Sequence, residues 1–384
     1  MAEEKDRDAR ARRAIPLIAA AITLVVVASL IYIRAGKPVS NLASLEPTPS
    51  PIPHLSGNYT ATFDFLDPSH GWALVLDYGQ AYAFWIFETT DGAAHWRSTF
   101  RGTASGDFDF VRFDLLYIHF FDTEHGLAFV GRLYRTLDGG ASWAAVDTPG
   151  EEPFLTFASP SRGWALQLAG DARLYATSDG GTSWTAVDGR LPPAWLGGFI
   201  GTPAELAFRE DGEGWLGSSQ ENPIAYTTLD GGRSWREVRL PPASGVSGYL
   251  TNVRLIPGGG VLISVYGSAG PLYARDSFDH GATWREVAFP PAPTTLADVS
   301  FVGAFHWWAS RFGYVFQTDD GGATWTQKRR AGLPAGWNIE AAHVLDARHA
   351  WWSMVATSDS RETAVMMTDD GGASWRAVNV PRPA

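Results

Sequence analysis

No cysteine occurs among the 384 residues. That excludes disulfides, thiol nucleophiles, thiolate-ligated metals and lipid-modified cysteine. Lysine is almost as scarce. Lys5, Lys37 and Lys328 are the only three, so arginine supplies the rest of the 30 basic residues. This is the usage that GC-rich bacterial genomes produce, and it carries no functional signal. Positive charge is short overall: residues 59–384 hold 36 acidic and 23 basic side chains, a net charge near −13. Nucleic acid and anionic lipid surfaces both require a basic footprint, so neither fits this part of the chain as a partner.

Charge is missing altogether from Ala14–Ile33 (AIPLIAAAITLVVVASLIYI), which is long enough to span a bilayer as a helix. Lys5, Arg7, Arg10, Arg12 and Arg13 precede it, and only Arg34 and Lys37 follow closely. This bias places residues 1–13 in the cytoplasm and the rest outside it. The run exceeds a usual signal-peptide core, and no convincing small-x-small cleavage site follows, which favours an uncleaved anchor over a cleaved signal. Residues 34–58 include PTPSPIP (Pro47–Pro53) and read as a semi-extended stalk. The expected product is a single-pass membrane protein with its large domain, residues 59–384, periplasmic or extracellular.

That domain is a repeat. The pattern Ser/Thr-x-Asp-Gly-Gly-x-Ser/Thr-Trp recurs seven times, with aspartates Asp91, Asp138, Asp179, Asp230, Asp279, Asp320 and Asp370. The closing tryptophans are Trp96, Trp143, Trp184, Trp235, Trp284, Trp325 and Trp375, at intervals of 41 to 51 residues. Each turn follows a short apolar strand, a polar turn and a Gly-Trp-Ala-type strand, as in FLTFASPSRGWAL from Phe154. With one strand on each side of the Asp-Gly-Gly turn, every unit has four strands, the length and content of a propeller blade. The turn chemistry is local. Aspartate accepts backbone N–H bonds, the glycines adopt positive φ, and the tryptophan buries its ring. Ala93 and His95 break the pattern in the first copy, as does His280 in the fifth. The units run in phase from first strand to last, with no borrowed strand evident.

The seven copies resemble the Asp-box (BNR) repeat family, and the resemblance covers roughly residues 59 to 380. It implies an all-β, seven-bladed propeller of four-stranded blades, in which the box is a fold marker rather than a catalytic or metal-binding element. Sialidases, other glycoside hydrolases, sortilin-type receptors and photosystem II assembly/stability factors share such boxes. The adjacent acids Asp319–Asp320 and Asp369–Asp370 lack the ligand ladder of a calcium loop, so no metal and no cofactor is expected.

Aligning the first strands gives a polar column between apolar neighbours: Asp64, His119, Thr156, Ala207, Arg254, Ser300 and His343. Strand alternation sets the column on one face, towards a central channel if these strands are innermost. A solvated lining is the plain reading, and a polar ligand or acid–base site the sharper one. Glu205, Asn252 and Asp298 lie two positions earlier. A second set is aromatic: Trp195, Phe199, Tyr249 and Trp337, with Phe108 and Phe110, fall in Gly/Pro-rich connections and are expected on a binding face or folded back over the blades. Lys328, Arg329 and Arg330 form one basic cluster.

Two functions follow. The resemblance to single-propeller assembly/stability factors implies a non-catalytic scaffold for a membrane or envelope protein complex. The alternative is a glycan binder or glycoside hydrolase, with Asp64, Glu205 and Asp298 as candidate carboxylates. The family's sialidases carry an arginine trio and an arginine–proline motif ahead of the first box. Nothing before Thr89 matches that motif, and Arg254 is the one arginine of the column, which weighs against sialidase activity.

Overall fold

The computed structural model describes residues 52–57, 59–77, 79, 82–104, 116–150, 153–167, 172–192, 206–246, 248–267, 270–291, 299–311, 314–328, 334–358 and 362–383. The expected membrane span and most of the stalk lie outside these residues. Among the described residues no helix is long and apolar enough to cross a membrane.

The chain enters through a two-residue strand, β1 (His54–Leu55), and then lays down seven antiparallel sheets. Blade 1 holds β2 (Tyr59–Phe65), β3 (Gly71–Asp77), β4 (Ala83–Thr89) and β5 (Arg97–Thr103). Blade 2 holds β6 (Tyr117–Phe120), β7 (Gly126–Phe129), β8 (Leu133–Thr136) and β9 (Ala144–Val146). Blade 3 holds β10 (Phe154–Phe157), β11 (Gly163–Gln167), β12 (Arg173–Thr177) and β13 (Thr185–Ala186). In blade 4, β14 (Leu206–Phe208) and β15 (Gly214–Leu216) are followed by β16 (Ser218–Gln220), which leaves to pair with the next sheet, and then by β17 (Ile224–Thr228) and β18 (Arg236–Arg239). Blade 5 holds β19 (Tyr249–Ile256), β20 (Gly260–Gly267), β21 (Gly270–Ser277) and β22 (Arg285–Val287). Blade 6 holds β23 (Val299–Phe301), β24 (Trp307–Arg311), β25 (Tyr314–Thr318) and β26 (Thr326–Lys328). Blade 7 holds β27 (Trp337–Val344), β28 (Ala350–Ala356), β29 (Thr363–Thr368) and β30 (Arg376–Val378). This is the expected all-β, seven-bladed propeller of four-stranded blades.

The Gly-Trp pair of the second strand has a packing reason. Gly71 lies opposite Phe65, and a Cβ on it would sit 2.3 Å from the phenyl ring. The same crowding holds for Gly126, Gly163 and Gly214 under Phe120, Phe157 and Phe208. In blades 1, 2 and 4 the ring lying over the glycine then stacks on a tryptophan of the preceding blade. Phe120 meets Trp72 at 3.5 Å between centroids, Phe208 meets Trp164 at 4.2 Å, and Phe65 meets Trp351 at 4.0 Å, all within 8° of parallel. The blade's own turn tryptophan closes edge-on, as Trp143 does on Phe120 at 87°. Each such pair adds about 0.5–1.5 kcal/mol beyond its burial. The core is therefore a series of inter-blade seams.

The ring closes with a borrowed strand, which the in-phase units do not reveal. His54 and Leu55 pair with Ala364 and Thr363 of β29, on the edge that β30 uses further along. The last residues of the expected stalk thus belong to blade 7. The C-terminal tail completes the closure. Asn379 Nδ2 donates to Ala94 O at 2.6 Å, Trp96 Nε1 donates to Asn379 O at 2.9 Å, and Arg382 donates to His54 O at 2.7 Å. Motif reading could not see β1, because two strand residues carry no pattern.

Candidate functional site

The polar column is real in register. Asp64, His119, Thr156, Ala207, Arg254, Ser300 and His343 each face the equivalent second-strand residue, from Trp72 in blade 1 to Trp351 in blade 7. At three junctions, between blades 1 and 2, 5 and 6, and 7 and 1, these side chains also reach the first strand of the neighbouring blade. Arg254 Nη1 of blade 5 donates to Val299 O of blade 6 at 2.5 Å, with its guanidinium over Phe301. Thr156 and Ser300 are half-buried.

Three members converge. The Asp64 side chain is only 7% exposed, yet it holds partners from blades 2 and 7. Its Oδ2 accepts the Phe120 N–H at 2.5 Å and lies 3.4 Å from His119 Nδ1. Its Oδ1 lies 3.4 Å from His343 Nδ1. The other nitrogen of His343 is 3.0 Å from Phe65 O, so that nitrogen carries a proton, since a carbonyl only accepts. Burial pushes the Asp64 carboxyl up. The His119 hydrogen bond, the charges of His119 and His343 and the Phe120 N–H outweigh it, and the pKa falls below 3.8. Asp64 is thus an anion at neutral pH, shared by three blades, with the half-exposed His119 as its wet side.

The turn aspartates are fully occupied by their own turns. In copies two to seven, Oδ1 accepts from the Ser/Thr hydroxyl two residues before and from the N–H four residues after, while Oδ2 accepts the following Ser/Thr hydroxyl, as Asp179 does at 2.8, 2.9 and 2.6 Å. In the first copy the His95 ring replaces that hydroxyl, with Nδ1 2.7 Å from Asp91 Oδ2. Ala93 and His280, standing where glycine is usual, take φ of 67° and 56°. His280 also sits 3.1 Å from the buried Glu213, which accepts from Trp215 Nε1 at 2.9 Å.

Sequence reasoning missed a second ladder around the ring, in which every junction has a donor reaching a carbonyl of the next turn. Trp72 Nε1 reaches Gly139 O at 3.0 Å, Arg135 reaches Asp179 O, and Trp164 Nε1 reaches Gly231 O at 3.2 Å. Arg236 reaches His280 O at 2.5 Å, Arg285 reaches Asp320 O at 2.8 Å, and Gln317 reaches Gly371 O at 3.1 Å. Asn379 to Ala94 completes the set. The donor changes type from blade to blade, so no repeated letter marks it.

The aromatic candidates separate. Tyr249 is a correction: it opens β19, is 3% exposed, and its hydroxyl bonds Ala243 at 2.9 Å, so it is an internal strut rather than part of an open face. The Gly/Ser setting made it look like a loop residue. Trp337 opens β27, half-buried, with its ring 6.0 Å from His54. Trp195, Phe199, Phe108, Phe110, Glu205, Asp298, Arg329 and Arg330 lie outside the described residues, while Lys328 ends β26.

No protein-family model and no curated protein sequence matches the chain. Solved structures do. A structure of YCF48 bound to D1 peptide is similar at a TM-score of 0.51 and 19% identity, covering 84% of this chain and 97% of that one. YCF48 from Cyanidioschyzon merolae is similar at a TM-score of 0.50 and 19% identity, covering 86% and 97%. At this identity the likeness is one of fold.

Proposed function

We propose that the protein is a non-catalytic binding scaffold, an extracytoplasmic propeller held to the membrane by Ala14–Ile33 that takes part in assembling or stabilising a membrane protein complex. The observation that carries this reading is the propeller's likeness, over nearly the whole length of that chain, to one solved with a peptide bound. By analogy, the partner is a peptide segment of a membrane protein, as for a photosystem II assembly factor. The state of Asp64 agrees with this. A hydrolytic carboxylate must face substrate, whereas Asp64 is enclosed and engaged by a backbone N–H and two imidazoles.

The test is capture. Tagged full-length protein in detergent is incubated with solubilised membranes of its source, and whatever co-purifies near stoichiometry is identified. One defined membrane complex supports the reading. Folded bait that retains nothing, together with hydrolysis of a glycan panel that Asp64→Asn abolishes, would replace it with the hydrolase.

A further inference from the structure

Outer strands of sheets are normally kept short, because an exposed edge is a template for another chain. In blades 2 to 7 the outermost strands β9, β13, β18, β22, β26 and β30 have two to four residues. Blade 1 departs from this: β5 runs seven residues, Arg97-Ser-Thr-Phe-Arg-Gly-Thr103, largely exposed, and among the described residues it pairs with β4 alone. Seven residues at about 3.3 Å each offer an edge of roughly 20 Å, with alternate N–H and C=O groups turned outward. No proline blunts it.

The edge is also basic on an acidic protein. The register slips between Ile86 and Phe87, leaving Thr99 as the extra residue, and Thr99 Oγ1 caps Ile86 O at 3.1 Å. Strand parity reverses across such a bulge. Arg97, opposite Glu88, therefore shares the face of Ile86 and Phe84, while Arg101, opposite Trp85, lies on the other face. Arg97 is 71% exposed and pairs with Glu88. Arg101 stacks 5.2 Å over the Trp85 ring and, among the described residues, has no carboxylate within ion-pair distance. The inner side is packed: Phe100 lies against Phe84 and Tyr134, and Gly102 leaves room for the Phe84 ring. An added strand thus meets a pre-formed ladder with one arginine on each face.

We infer that β5 is a docking edge for an extended acidic segment of a partner protein, which adds to blade 1 as a fifth antiparallel strand. Backbone bonds supply the affinity, and carboxylates opposite Arg97 and Arg101 set the choice of partner and its register. The inference rests on the scaffold reading and gives it a site.

The probe is a short fluorescent peptide of alternating valine and threonine carrying two glutamates, with its lysine counterpart as control, titrated against the full-length protein in detergent by fluorescence anisotropy. The glutamate peptide is expected to bind at least about tenfold tighter than the lysine peptide, and R97E/R101E to invert that order. Peptide binding should slow amide exchange in residues 97–103, and N-methylation of alternate peptide amides should abolish binding. Equal affinity for both peptides, or an order unchanged by the charge reversal, overturns the site. So does protection of the outward-facing β5 amides before any peptide is added, which would mean that this chain already pairs with its own edge. If R97E/R101E still captures the membrane complex, the scaffold reading stands and this site falls alone.

Discussion

A single carboxylate such as Asp230 accepts three hydrogen bonds, from the Thr228 hydroxyl and from the N–H and hydroxyl of Ser234. Those bonds hold its pKa down to about 2, with the Ser234 hydroxyl the largest cause. Asp179, Asp320 and Asp370 are also lowered to about 2, each mainly by the hydroxyl of its own turn, and Asp91 likewise, mainly by the His95 N–H. A depressed carboxyl contributes stability above its unfolded value near 3.8 and loses it as the pH falls through the folded value. Acid unfolding followed by tryptophan fluorescence should therefore set in below about pH 4 and develop towards pH 2; a midpoint near pH 5 would contradict this. Asp230→Ala should lower the midpoint of thermal unfolding by roughly 2–4 °C. Asp64→Asn should cost roughly 1–3 kcal/mol in urea unfolding, because a buried N–H and two imidazoles lose their anion, and should leave the binding of a captured partner unchanged. The alternation around Asp64 is visible in the sequence. Its pairing with His343 is not, because 279 positions and the closure of the ring separate the two.

At the scale of the strand, the most legible element is the second one, and the structure supplies its reason. Glycine is kept because a phenyl ring from the first strand lies where its side chain would be. Gly71→Ala should cost roughly 1–3 kcal/mol by overpacking. Adding Phe65→Leu to Gly71→Ala should recover less than half of that, since the stack on Trp351 goes with the ring; both are measured by urea denaturation. Elements set by tertiary pairing were illegible. β16 follows the second strand of blade 4 after a single residue, yet Ser218–Gln220 switches to β19. Tyr249 looks like a loop aromatic and is the first residue of a buried strand. Turn residues announce themselves through φ and local bonds, whereas a strand's choice of neighbour depends on surfaces far away in sequence.

For the whole molecule, repeat number and sheet order were legible from the seven turns, while the means of closure was not. The tail after Val378 joins blade 7 to blade 1 through Asn379 and to β1 through Arg382. Deleting residues 379–384 should lower the melting temperature by several degrees. It should also speed amide exchange in β1, β29 and the first turn before any other blade responds. Uniform exchange around the ring would refute a local seam.

The junction ladder also bears on how such a molecule can be built or rebuilt. Its donors are two tryptophans, three arginines, a glutamine and an asparagine, and every acceptor is a main-chain carbonyl of the turn that the blades repeat. Trp72, Trp164, Arg236 and Gln317 all reach the residue straight after the turn aspartate. A main-chain carbonyl is there whatever side chain the turn carries, so the turn is a universal socket and the plug is free to vary. A chain with two blades transposed would still offer a carbonyl at every junction.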